Sequence, residues 1–337
     1  MKKSLLQLAS VFGVALLLGP GVASAQYLYV TDTTTNGLSI INTSTDIVVT
    51  VPGTTHLDDP SGIALDTYAG DPTYDGDLFI ANGNGSIVAF NPTTETFGST
   101  NFASAVSLSD PQGLAFDSSG NLYVASASSG GSIEKYSLTT NTWSTYASSL
   151  GTTPEGIAID GNGNLFVTMS GPNTIVEIEP NGAVGAVHAF YPGTNSSNPA
   201  LDGPVGIAFN PKDGDLYVAN SLTGATSPSV DRVTLFPQGS TALNADLSNP
   251  QGVTFDANGN LYVADYGNNT VTAYSQVGNT GIFTLKGSPI SGYGLVTPDF
   301  LAIDTTGLPV PEPGSYAMFL GGLALLLLRQ RWASSRP

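Results

Sequence analysis

Residues 250–265 read PQGVTFDANGNLYVAD. An apolar run opens after Pro-x-Gly, ends on Asp256, turns through Ala-Asn-Gly-Asn and returns as a second apolar run ending on Asp265. Gly and Asn tolerate positive φ, so the middle predicts a tight hairpin between two strands. The first strand is apolar almost throughout, as expected of a strand buried on both faces. The pattern recurs: PSGIALD starts at 60, PQGLAFD at 111, PEGIAID at 154 and PVGIAFN at 204, while a sixth start, PDFLAID at 298, lacks the glycine. Each of the five complete starts is followed by a second strand: GDLFIAN at 76, GNLYVAS at 120, GNLFVTM at 163, GDLYVAN at 214 and GNLYVAD at 259. A third follows, SIVAF at 86, SIEKY at 132, TIVEI at 174, RVTLF at 232 and TVTAY at 270. A more variable fourth completes the unit, for instance TWSTYA at 142 and GIFTLK at 281.

Four strands in about fifty residues, repeated radially, predict an all-β fold, a six-bladed β-propeller of four-stranded blades. The strand pattern excludes a helical solenoid, and the period is too long for a parallel β-helix. The sixth start supplies an inner strand and then no second one. The missing strands stand at the other end of the chain: YLYVTD at 27 matches the second strand, GLSIIN at 37 the third and DIVVTV at 46 the fourth. One C-terminal and three N-terminal strands are therefore expected to complete the last blade, which leaves no open edge in the ring. The propeller would span 26–309 as a monomer.

The 337 residues contain no cysteine, so disulfides, zinc–thiolate sites and cysteine nucleophiles are excluded. Lys and Arg total 9 against 26 Asp and Glu. Every acid but Glu312 lies in 26–309, where the only basic residues are Lys135, Lys212, Arg232 and Lys286. Such a surface repels nucleic acid and anionic lipid and attracts cations. The ends differ. Lys2 and Lys3 precede the apolar run LLQLASVFGVALLLGPGV and the tripeptide Ala23-Ser24-Ala25. That order predicts a secretory signal at 1–25, cut before Gln26, with a short membrane anchor as the alternative. At the C-terminus, Val310-Pro311-Glu312-Pro313 leads into GSYAMFLGGLALLLL and then Arg329-Gln330-Arg331. The apolar part is near the length of a short transmembrane helix, with Arg329 and Arg331 on the cytoplasmic side.

The order VPEP, short apolar helix, arginine cluster over 310–337 resembles the PEP-CTERM sorting signal of Gram-negative bacteria. The resemblance implies recognition and processing by an exosortase, transient anchoring in the inner membrane, and a fate at the outer surface or in the extracellular polysaccharide matrix. A plain C-terminal anchor is the alternative. The repeat over 26–309 resembles the NHL repeat and the wider six-bladed superfamily that includes gluconolactonases and streptogramin lyases. RNA-binding NHL proteins present a basic face, which this sequence lacks. Third strands that open with Asn-x-Arg in those proteins read NTI at 173 and NTV at 269 here.

Pro-x-Gly begins strand one and the small polar residue ends strand two, so both sets are expected around one mouth of the central channel. Among them Asp32, Asp265, Asp299 and Glu155, with Gln251 and Asn82, are hard oxygen ligands suited to Ca²⁺ or to a polar ligand. Alternatively, each Asp or Asn hydrogen-bonds its neighbouring loop. DGNGN at 160–164 suggests a calcium loop, but Leu165 and Gly171 occupy the positions where an EF-hand needs Gly and Glu, so a hairpin is expected. The insertion at 66–77 gathers Asp66, Asp71, Asp75 and Asp77 on the opposite face. His56 and His188 are the only histidines, and both are expected away from the inner strands. No catalytic residue is assigned. The sequence therefore predicts a secreted binding or scaffold module for protein or polysaccharide. The alternative is a calcium-dependent hydrolase or lactonase using the mouth carboxylates.

Overall fold

The computed structural model describes residues 26–304, apart from 52–54, 71–72, 99–107, 128–129, 152, 181–186, 190–200, 222–227, 235–238, 244–245 and 293–294. The expected signal segment 1–25, the sorting segment 310–337 and its apolar helix lie outside the described residues. None of the described residues forms a helix long and apolar enough to cross a membrane.

The described residues form six four-stranded antiparallel sheets. The closing blade is β24 (Pro298–Asp304) followed outward by β1 (Tyr27–Asp32), β2 (Gly37–Asn42) and β3 (Ile47–Thr50). Blade 1 comprises β4 (Pro60–Leu65), β5 (Leu78–Asn82), β6 (Ile87–Asn91) and β7 (Thr96–Phe97), and blade 2 β8 (Pro111–Phe116), β9 (Asn121–Ser126), β10 (Ser132–Ser137) and β11 (Thr142–Ser148). Blade 3 comprises β12 (Pro154–Ile159), β13 (Leu165–Met169), β14 (Thr174–Ile178) and β15 (Val187–Ala189). Blade 4 comprises β16 (Pro204–Asn210), β17 (Asp215–Asn220), β18 (Ser229–Thr234) and β19 (Gly239–Leu243). Blade 5 comprises β20 (Pro250–Phe255), β21 (Leu261–Asp265), β22 (Thr270–Gln276) and β23 (Phe283–Leu285). The inner strands touch in the order β4, β8, β12, β16, β20, β24 and back to β4, so the ring is closed with six blades.

The closing blade is the one the sequence predicts. Tyr27 faces Asp304, Tyr29 faces Ala302 and Val30 faces Leu301. One difference is in blade 4, where the third strand begins at Ser229 rather than Arg232. Asp231 sits mid-strand and fully buried, its carboxylate accepting the Ser229 hydroxyl at 2.9 Å. A buried acid in a strand reads as loop in sequence, which hid the first half of β18.

Strand two of each blade is buried on both faces, and its alternation distributes residues between two neighbours. In β5, Leu78 and Ile80 pack toward the closing blade while Phe79 and Ala81 pack toward blade 2. The core is thus six apolar layers, one between each pair of adjacent blades. The hairpins between strands one and two are pinned by Asp. Asp160 accepts the amides of Asn162 and Asn164 at 2.9 Å each, and Asp117 and Asp256 hold their turns in the same way. Gly163 completes the turn at φ 86°.

Proline stands first in every inner strand, where its missing N–H costs no ladder bond. Immediately after it the register slips in all six blades, a bulge in strand one. At five of the six bulges a glycine touches the next blade. A Cβ on Gly156 would lie 2.5 Å from the Val205 carbonyl oxygen and 3.0 Å from the Ile207 nitrogen. Gly62, Gly113, Gly206 and Gly252 meet the backbone of the following blade in the same way. The repeated glycine therefore sets how closely the bulges approach. Gly156→Ala should lower stability by about 2 kcal/mol or more, because a backbone carbonyl cannot yield to the added methyl. Gly161→Ala, five residues on, has no neighbour within 4 Å and should be near neutral. Equal urea midpoints for the two variants would contradict the tight approach of the bulges.

Candidate functional site

The bulges and the ends of strand two lie together at one mouth of the channel, as pairs such as Pro60 with Asn82 and Pro250 with Asp265 require. The strand-two ends are occupied. Asp265 accepts the amides of Ser248 and Asn249, and the Asn268 side chain donates to it at 2.7 Å. Asp32, fully buried, accepts the amides of Val296 and Thr297 at 2.7 Å each and the amide and hydroxyl of Thr35. Asn82 accepts the amide of Asp58 and donates to the His56 carbonyl and the Ser86 hydroxyl. Ser126 and Asn220 hold Ser109 and Asp202. These side chains mainly secure the loop that leads into strand one of their own blade. Burial works to raise the Asp32 pKa, but the amides of Thr297, Thr35 and Val296 outweigh it and hold the carboxyl below its ordinary value.

The residues between Pro and Gly form the inner ring of the mouth. Ser61 is buried and donates to the Pro111 carbonyl at 2.8 Å. Gln112 and Gln251 donate to Asp110 and Asn249. Glu155 accepts the Ser170 hydroxyl at 2.7 Å. Asp299 has no hydrogen-bond partner among the described residues. Burial, then the charges of Glu155, Asp59 and Asp32, push its carboxyl up to about 8. Burial also raises Glu155, with Asp110 adding and Ser170 opposing. Asp299 and Glu155, three blades apart, thus face each other across the mouth.

Val205 plugs this throat. It belongs to blade 4, yet packs against the apolar layer between the closing blade and blade 1, on the far side of the ring. Phe300, which stands where the other copies have glycine, lies in that layer.

Of the six residues expected to form a cation or polar-ligand site, the structure brings Asp299 and Glu155 together and turns Asp32, Asp265 and Asn82 into the loops. Gln251 stays on the ring. Among the described residues no group of three or more His, Cys, Asp or Glu is placed to hold a metal ion. In the described part of the insertion after β4, Asp66 accepts the Tyr68 amide and Asp77 the side chain of Asn91 in β6, while Asp71 lies outside the described residues. His56 stacks on Phe97 with ring centres 5.1 Å apart, and His188 lies opposite Glu177 in the outermost strand of blade 3.

Sequence reasoning missed the latches between blades. Thr31 donates to the Ser61 carbonyl and Thr168 to the Val205 carbonyl, each reaching the next blade. Both threonines replace the alanine of the other four copies, which was the available signal. Asn36 and Asn173, at φ 49° and 55°, accept the amides of Asp59 and Gly203 in the following blade.

Comparison with known proteins supports the architecture. Residues 247–274, covering β20 to β22, match the NHL repeat, and residues 142–168 match a beta-propeller repeat. No curated protein sequence matches the chain at a significant level. Among solved structures, a streptogramin B lyase is 16% identical with a TM-score of 0.54, covering 82% of this chain and 83% of that one. The virginiamycin B lyase of Staphylococcus aureus is 17% identical with a TM-score of 0.52, covering 79% and 85%. Likeness at this identity concerns the fold.

The raised carboxyl of Asp299, pushed up first by burial and then by the charges of Glu155, Asp59 and Asp32, makes stability depend on pH. A carboxyl whose folded pKa exceeds its unfolded value contributes stability that is complete below the unfolded value, near 4, and lost as pH rises through the folded one. The urea midpoint of the parent should therefore fall between pH 5 and pH 9. Asp299→Asn should remove roughly 1–3 kcal/mol of that fall. An unchanged profile in the variant would show that burial and the neighbouring acids do not raise the Asp299 carboxyl.

Proposed function

We propose that the chain is an exported propeller sorted to the outer surface or extracellular polysaccharide matrix of a Gram-negative bacterium, where it serves as a binding or scaffold module for protein or polysaccharide. The observation that carries this reading is the use made of the mouth. Polar side chains that could have served chemistry there hold loops instead, and Val205 fills the throat behind them. What the described part of the mouth face offers a partner is a set of hydrogen-bonded loop segments bearing Asp58, Asp110 and Asp246, a surface suited to neutral or basic polymers. The acidic composition and the absence of cysteine are compatible with an exported domain whose core holds the fold unaided.

The order of segments supports the route. A signal at 1–25 would direct export, and Val310-Pro311-Glu312-Pro313 would present the processing site, with the apolar segment and Arg329 and Arg331 anchoring the precursor in the inner membrane. The lyase activity of the two structural neighbours is a property of those proteins. At 16–17% identity the shared fold brings no reaction to this chain.

Mass spectrometry of the released protein tests the route. The mature chain should begin at Gln26 and end near Pro311–Pro313. Replacing Arg329 and Arg331 by alanine, or deleting Val310–Pro313, should leave it in the membrane fraction. A released chain that still carries residues 314–337 would overturn the sorting reading. For the binding reading, the mature protein should capture a defined glycan or protein on an array. Calcium-dependent turnover of a lactone would replace that reading with the hydrolase alternative.

A further inference from the structure

On the face opposite the loop-bound mouth, the six inner strands enclose a cavity of about 450 Å³, within the range that holds small molecules. Its wall is built from strand edges. Each inner strand pairs on one side only, with strand two of its blade. Asp66, Asp117, Asp160 and Asp256 donate their backbone N–H groups to the carbonyls of Asp77, Asn121, Asn164 and Asn260 across the hairpin. Peptide groups alternate in direction along an antiparallel pair. The residue before each of these aspartates therefore turns its N–H and C=O away from strand two, toward the channel axis. Blade 4 keeps the same register, with Asn210 opposite Asp215. In the closing blade the Gln26 carbonyl is taken by the Thr43 amide, so Tyr29 pairs with Ala302 and Ile303 turns inward.

The inward groups form two rings. One belongs to Leu65, Phe116, Ile159, Phe209, Phe255 and Ile303, the other to the residues two positions earlier, and all of these line the cavity. Their side chains pack sideways in the apolar layers between blades, and no described residue pairs with their inward peptide groups. Such groups need hydrogen bonds from water or from a ligand. Each residue presents a donor and an acceptor side by side. A cation uses only the acceptors and an anion only the donors, whereas a hydroxyl uses both.

Two features of the lining favour a neutral ligand rich in hydroxyls. Asp256 is the only ionisable residue in it, and its carboxylate already accepts the amides of Asn258 and Asn260 and the Asn260 side chain. Thr254 stands where the other five copies have alanine, lines the cavity, and has no partner for its hydroxyl among the described residues. Toward the mouth Val205 closes the throat, while at the far end the lining reaches the exposed residues Thr67, Pro211 and Ala257.

We propose that this end of the channel binds a small neutral polyhydroxylated molecule, of the size of a single sugar or cyclitol ring. Its hydroxyls pair with the inward peptide groups and with the hydroxyl of Thr254. An apolar ring of the same size would leave those peptide groups unpaired, and a charged one would meet no unengaged counter-charge in the lining. The inference concerns the face opposite the mouth and does not depend on the sorting signal or on what the mouth binds.

NMR titration of the intact, isotope-labelled protein with glucose, galactose, xylose and myo-inositol tests this, with cyclohexanol and glucuronate as apolar and anionic comparisons. At least one of the neutral polyols should bind saturably, one to one, and at least about tenfold more tightly than cyclohexanol or glucuronate. The amide signals of Leu65, Phe116 and Phe255 should shift, while those of Gln112 and Gln251 at the mouth stay in place. Thr254→Ala, which restores the residue of the other copies, should fold and lose affinity severalfold. No saturable binding of any of these polyols, so that water alone fills the channel, would overturn the proposal. Shifts confined to the mouth loops, equal affinity for cyclohexanol, or unaltered binding by the Thr254→Ala protein would each overturn it as well.

Discussion

The pairing of β1 with β24 joins residues that stand at opposite ends of the propeller sequence, and the other five blades depend on it. Every apolar layer lies between two sheets, so a blade that opened would uncover two layers at once. In the closing blade, Tyr29, Leu38 and Ile40 pack on blade 1 while Leu28, Val30 and Ile41 pack on blade 5. Its ladder keeps the ring free of an unpaired inner edge. Asp32 adds a polar tie at the same place, its buried carboxylate holding the amides of Val296 and Thr297 from the far end of the chain. The closure is therefore made of the same burial as the rest of the ring, with one charge-assisted cluster in addition.

That closure produces two unlike ends of one channel. At the mouth, each inner strand bulges behind its proline, the bulges crowd, and polar side chains are spent on the loops. Two carboxyls, Asp299 and Glu155, are left facing each other above the Val205 plug. At the opposite end the inner strands run in regular register around a cavity of about 450 Å³. A six-fold repeat would make all positions alike. The differences arise where single copies depart from it: Phe300 for glycine, Val205 for a polar residue, Thr31 and Thr168 for alanine.

Much of this was legible in the sequence because it depends on local chemistry. Asp at the end of strand one and Gly-Asn three residues on, as in 117–121, 160–164 and 256–260, specify a hairpin whether or not the rest of the ring is known, and the six proline-headed starts fix the number of blades. The closing blade followed from matching YLYVTD to the second strands. For Asp32, Asp265 and Asn82 the sequence left two roles open, channel ligand or loop hydrogen bond, and the structure shows the second. A carboxylate at the end of a strand can face the channel or fold back on a loop, and the choice depends on which amides that loop leaves unpaired. Asp231 hid half a strand because only the surrounding structure makes a buried acid tolerable. Val205 looked like one more variable position, since nothing in a linear repeat indicates that a side chain will cross the ring.

Native-state hydrogen exchange on the mature protein tests the closure most directly. Amides of β1 and β24, such as Val30 and Leu301, should exchange only through the opening that also releases Val124 in β9 and Val263 in β21, with the same dependence on denaturant. Exchange of β1 and β24 through a separate, lower-energy opening, while the other blades stay protected, would contradict the account of a ring whose closing blade is as firmly held as the rest.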